Sequence, residues 1–185
     1  MSEHEPGGVP GEDVTWGEYI LGPLVPADVE ELAAAHARIW RETYVTLMDP
    51  GVLGRIRPDS FLHNWTERAQ RLQQGETLPN GERILIARFR GAPVAFLSVG
   101  NAREEDPPVD HQLWALNVLP EHQGTGLAQH MMSLALGDRD AYLWVAEGND
   151  RALAFYRGQG FTTDGARQSR GDGMTEIRMV RRAAA

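Results

Sequence analysis

The chain contains no cysteine and no lysine, and no window approaches the roughly 18 consecutive apolar residues that a bilayer requires. Without cysteine there can be no disulfide staple, no thiolate zinc site and no thiol nucleophile. Metal binding is left to six scattered histidines and the carboxylates, and none of the usual ligand spacings occurs, so we expect no metal. Without lysine, all 18 basic residues are arginines against 26 acids, a formal charge of −8. That balance disfavours nucleic acid as a partner. The N-terminus MSEHEPGGVPGED has neither the basic start nor the apolar run of a signal peptide. We therefore expect a cytoplasmic protein without a membrane partner.

What is present reads as globular: 42% hydrophobic, 24% charged and 8% aromatic residues over 185 positions. Residues 1–13 carry Glu3, Glu5, Glu12 and Asp13 among glycines and prolines. Such a composition cannot offset its own ordering entropy, so we expect a disordered leader over 1–13 and one domain over 14–185. The patterning predicts a strand over 14–24 and a helix opening at Pro26-Ala27-Asp28, capped by Asp28 and running to about Tyr44. A turn at Asp49-Pro50-Gly51 precedes a second helix over 60–74.

From Glu82 the period changes. RILIARF and APVAFLSVG read as two strands joined by the turn Arg90-Gly91. An acidic, proline-containing loop over 103–110 leads to a strand over 112–119. A helix over 124–136, a strand over 141–146, a helix over 150–157 and strands over 160–163 and 174–181 complete the chain. This order predicts one mixed α/β sheet domain.

The segment Pro120-Glu121-His122-Gln123-Gly124-Thr125-Gly126-Leu127-Ala128 joins a predicted strand to a predicted helix. Glycines there let backbone approach a ligand, and the unpaired N–H groups of the helix start make a receptor for phosphate or pyrophosphate. A Walker loop would need Gly-Lys-Ser/Thr, and a Rossmann fingerprint a third glycine where Gln129 stands. Two glycines alone also suit a tightly packed turn without a ligand.

About twenty residues on, Tyr142-Leu143-Trp144-Val145 is followed by Asn149-Asp150-Arg151-Ala152-Leu153-Ala154-Phe155-Tyr156 and then Gly160-Phe161. With Gln-x-x-Gly-x-Gly/Ala at Gln123, Gly126 and Ala128, this second motif makes the sequence resemble the GCN5-related N-acetyltransferase (GNAT) family. The match covers 112–163 directly. The resemblance implies a GNAT-type fold: a mixed, mostly antiparallel central sheet flanked by helices and splayed at its two central strands. It implies acetyl-CoA held there, with its pyrophosphate on Gln123, Gly124, Thr125, Gly126, Leu127 and Ala128. Backbone groups of Leu116, Asn117 and Val118, and the Asn149 side chain, would support the pantetheine arm. A homodimer is also expected by resemblance.

The implied reaction is direct attack of a primary amine on the thioester in a ternary complex, with a small-molecule acceptor. Acetylation of a protein or peptide, and a non-catalytic acyl-CoA-binding module, are the alternatives. A tyrosine stays protonated at neutral pH, which suits Tyr156 to protonate the leaving thiolate. Many relatives carry a glutamate base where this chain has Gln112, whose amide cannot accept a proton. The base is left open among Asp110, His111, a carboxylate such as Glu42, and a water chain; histidine is the side chain that titrates near neutrality. His36, Trp40, Tyr44, His63 and Trp65 lie on helices that could border the acceptor pocket, and Glu147 stands at a strand end.

Overall fold

Two apolar runs, Arg83–Phe89 (β3) and Ala92–Asn101 (β4), reverse on Arg90 and Gly91, whose φ values of 52° and 87° make the two-residue turn that antiparallel strands favour. In this computed structural model, which describes residues 8–183, that hairpin lies at the centre of an eight-stranded sheet. Before it come β1 (Val14–Trp16), β2 (Tyr19–Pro23), α1 (Val29–Thr43), α2 (Pro50–Leu53) and α3 (Asp59–Gln73). After it come β5 (His111–Val118), α4 (Leu127–Leu136), β6 (Ala141–Ala146), α5 (Asp150–Gly158), β7 (Thr162–Ser169) and β8 (Thr175–Arg181). The spatial order is β1-β2-β3-β4-β5-β6-β8-β7. Every pair is antiparallel except β5 with β6.

Both faces of the sheet are covered, which is why β3 reads as an unbroken apolar run rather than an alternating one. Leu85 and Ala87 pack on the side of α4 and α5, with Met131, Met132, Leu136, Leu153 and Tyr156. Ile84 and Ile86 pack on the side of α1 and α3, with Leu32, Ala33, Trp65 and Ala69. Among the described residues no helix is long and apolar enough to cross a membrane.

Several elements differ from the sequence-based expectation. The single strand expected over 14–24 is a hairpin, because Gly17 and Glu18 turn the chain between Trp16 and Tyr19. Asp28 stands at the N-cap of α1 without a side-chain cap bond into that helix; its Oδ2 accepts instead from the Val25 N–H at 3.0 Å. Its carboxylate takes Arg88 of β3 in a two-pronged buried ion pair, Nε to Oδ1 at 2.7 Å and Nη2 to Oδ2 at 2.6 Å. The turn at Asp49 opens α2, with Asp49 Oδ1 accepting from the N–H groups of Gly51 and Val52. The strand expected over 160–163 runs as β7 to Ser169, and its largely exposed residues fit its place at the sheet edge. Of the leader expected over 1–13, residues 1–7 lie outside the described residues. Val9 packs against the core, Pro10 is buried, and Asp13 reaches Arg88 at 3.4 Å.

Candidate active site

β5 and β6 pair at only two positions, Gln112 with Tyr142 and Leu113 with Leu143. Beyond them the strands part. From Ala115 to Val118, β5 has a strand neighbour only in β4, so alternate backbone groups face the gap. The crevice so formed, about 1130 Å³, passes between α4 and α5 at one end and reaches α1 at the other.

At the first end, Gln123 closes the turn after β5. Its Nε2 donates to the Val118 carbonyl at 2.8 Å, and its Oε1 accepts from the Arg151 guanidinium. Gly126 takes φ 88°, a conformation costly for any residue with a Cβ, and α4 starts at the next residue. Gly124, Gly126 and Ala128 line the crevice there. The first N–H groups of a helix have no intrahelical acceptor, and the helix dipole adds positive potential. Arg151 forms no ion pair among the described residues, so its charge is available to an anion on that turn. Asn149 caps α5 by accepting from the Ala152 N–H at 3.2 Å, and it too lines the crevice.

Tyr156 of α5 also lines the crevice, its ring against Phe155 and Phe161. Burial pushes its hydroxyl well above the ordinary tyrosine value, so it is a proton donor throughout the neutral range.

The second end is aromatic. Trp40 of α1, Tyr44 just after it, Trp114 of β5 and Trp144 of β6 line it. His36 stacks on Phe61 at 3.7 Å, and its Nδ1 accepts from the Trp65 indole N–H at 3.2 Å, which puts its proton on Nε2. Burial, with Arg68 nearby, lowers its pKa to about 3, so it is neutral. Burial, with Glu176 nearby, raises the pKa of Tyr44. The chain between α1 and α2 is tied to the β7–β8 turn, where the Asp49 N–H donates to the Asp172 carbonyl at 3.2 Å.

A model of the acetyltransferase (GNAT) family matches residues 52–161. A protein of Mycobacterium tuberculosis described as probable N-acetyltransferase Rv2775 is 30% identical over 149 residues, 76% of this chain and 78% of that one. This chain belongs to the GNAT family. It is an acetyltransferase of the N-acetyltransferase kind, with the fold of that family. The PaiA N-acetyltransferase of Thermoplasma acidophilum, solved in complex with coenzyme A, superposes with a TM-score of 0.66 at 17% identity, over 89% of this chain and 98% of its own. A GNAT-family acetyltransferase of Bordetella pertussis gives 0.62 at 17%, over 92% and 99%.

In this GNAT chain the crevice gathers Leu116, Asn117, Val118, Gln123, Gly124, Gly126, Ala128, Asn149 and Tyr156 from the residues expected to serve it. Thr125 and Leu127 do not line it: the Thr125 hydroxyl donates to the His122 carbonyl at 2.8 Å, and Leu127 is buried in the core. Asp110 and His111 are not brought there either. They line a separate depression with Pro108, Arg139, Asp140 and Arg182, at the paired end of β5. Gln112 is buried beside them, its Oε1 accepting from the Tyr142 hydroxyl at 2.9 Å and the Arg103 N–H at 3.2 Å. His63 is exposed, Trp65 is core, and Glu147 is exposed and paired with Arg167.

Three charged crevice residues were not foreseen: Arg151, Arg170 and Glu176. Arg151 lies inside the Asn149–Tyr156 motif and was legible there as a cation in the first turn of a helix. For Arg170 and Glu176 the local sequence carries no signal.

Proposed function

We propose that this acetyltransferase moves acetyl from acetyl-CoA to the primary amine of a small molecule, by direct attack within a ternary complex. The residues fit the donor. Pyrophosphate suits the helix start at Gly126 with Arg151 beside it. An extended arm suits the open side of β5 at Leu116, Asn117 and Val118, with Asn149 opposite. Acetyl-CoA would supply the activated acyl group, and the chain's own part is to align it and to manage two protons.

The observation that carries the reading is Tyr156, a buried phenol that lines the same crevice as the phosphate turn and the aromatic end. When the amine attacks, the C–S bond breaks with its electron pair on sulfur, and the Tyr156 hydroxyl gives that sulfur a proton in this reading. The acceptor is read as small because the end of the crevice at α1 is lined by aromatic rings, those of Trp40, Tyr44, Trp114 and Trp144. The homodimer expected by resemblance belongs to the same reading.

A panel of small amines and of peptides with free N-termini or lysines, incubated with acetyl-CoA and assayed for thiol release, tests this. Acetylation of small amines is expected. Release with peptides alone would replace the acceptor class, and CoA binding without release under any acceptor would reduce the protein to a binding module. Sedimentation equilibrium tests the dimer.

A further inference from the structure

Glu176 of β8 is paired in register with Ala146, the last residue of β6, and so stands where β5 and β6 have already diverged. It lines the crevice and is only 9% exposed. Its Oε2 accepts from the Gln168 amide at 2.7 Å and its Oε1 from Arg170 at 3.2 Å. A carboxylate offers about four acceptor positions, so about half are left.

The charges around it do not cancel. Arg170 is shared between two acids, Glu176 at 3.2 Å and Asp172 at 3.2 Å. Tyr44 from the end of α1 faces the same cluster, and it and Tyr156 across the crevice are neutral phenols. His36, the other titratable ring on α1 lining this end, is neutral. Gln168 of β7 and Ala146 of β6 carry no charge. This corner therefore holds one cation against two anions, in a buried setting where an unbalanced carboxylate is costly. Glu42, the other carboxylate lining the crevice, is different: its side chain is 46% exposed and Arg38 holds it at 2.8 Å.

We propose that Glu176 is the carboxylate that receives the acceptor: it binds the amine as an ammonium ion and takes up the proton that leaves nitrogen during attack. This rests on the amine-acetyltransferase reading above and narrows its acceptor to amines that are cationic at neutral pH, with the aromatic rings of Trp40 and Tyr44 flanking the bound cation. The step balances. The ammonium gives one proton to solvent, exposing the lone pair that forms the C–N bond. The C–S bond breaks with its pair on sulfur, one of the two protons left on nitrogen passes to Glu176 while the other stays as the amide N–H, and the Tyr156 proton passes to sulfur. Exchange with solvent restores Glu176 and Tyr156.

The test compares benzylamine, an ammonium ion at pH 7, with aniline, neutral there, on the full chain with acetyl-CoA. Wild type is expected to prefer benzylamine. Glu176→Gln should raise the benzylamine KM roughly ten- to a hundredfold, the loss expected for a hydrogen bond to a charged group, and erase the preference. Its acetyl-CoA affinity by calorimetry should stay within a few fold. Glu176→Asp should keep the preference. A wild type without the preference overturns the proposal whether or not the variants fold. So does a preference retained in Glu176→Gln. Should wild type acetylate no amine of any kind, the amine reading itself fails and this assignment with it.

Discussion

Gln123 donates its side-chain N–H to the Val118 carbonyl at 2.8 Å, which pins the turn before α4 to the last residue of β5. The same amide accepts from Arg151 through its oxygen, so one side chain ties together β5, the phosphate turn and α5. Replacing it by Leu should loosen the turn and free Arg151 while leaving the core untouched. We expect acetyl-CoA affinity to fall about tenfold or more, with the melting temperature nearly unchanged because the site is at the surface. Calorimetry and thermal unfolding on the same sample decide it; unchanged affinity would show that the turn holds without its brace.

At Gly126 the constraint is the backbone. A Cβ built there meets nothing closer than the Trp16 ring at 3.6 Å, an ordinary contact, but φ of 88° is a conformation that L side chains rarely adopt. The strain grows from Asn, which tolerates positive φ, to Ala, to the β-branched Val. Acetyl-CoA dissociation constants should therefore rank Gly126, Asn, Ala, Val in increasing order. A flat series would mean that the turn does not bind the pyrophosphate.

For Tyr156→Phe, only the transition state contains a thiolate in need of a proton. Turnover should fall roughly 10²- to 10⁴-fold while acetyl-CoA affinity stays within a few fold. Wild-type turnover with chemistry rate-limiting would remove Tyr156 from the proton path.

His111 lies at the paired end of β5, outside the crevice, lining a depression with Asp110 and Arg182. His111→Ala should therefore leave the pH dependence of kcat/KM unchanged, and the basic limb should follow the pKa of whichever amine is offered. Loss of a limb in the variant would return His111 to the reaction.

The reason that His111 and Asp110 read as neighbours of the chemistry is a matter of direction along one strand. They are close in sequence to Leu116, Asn117 and Val118, yet at about 3.3 Å per residue the start and end of β5 are roughly 20 Å apart. What was legible rests on short-range rules: the Arg90-Gly91 turn, the glycine turn before α4, and the helix that follows Asn149. Asp28 read correctly as a helix entry but not as Arg88's partner, sixty residues away. Glu176 was invisible for a stronger reason. It reaches the crevice because β8 inserts between β6 and β7, and no local pattern encodes that order.

His36 gives the fold itself a pH signature. Its native pKa lies near 3, below the ordinary 6.5, because burial disfavours the imidazolium. Between those values the unfolded chain binds a proton that the native chain refuses. Stability is therefore complete above about pH 6.5 and drains away as the pH falls toward 3, with a slope from this group of up to about 1.4 kcal/mol per pH unit. His36→Gln keeps an acceptor for the Trp65 indole N–H but cannot titrate. Urea unfolding at pH 7, 5.5 and 4.5 should show the wild type losing stability faster than the variant, the gap widening with acid. Parallel losses in the two proteins would mean that His36 charges in the native state, and that its stacking on Phe61 does not exclude water.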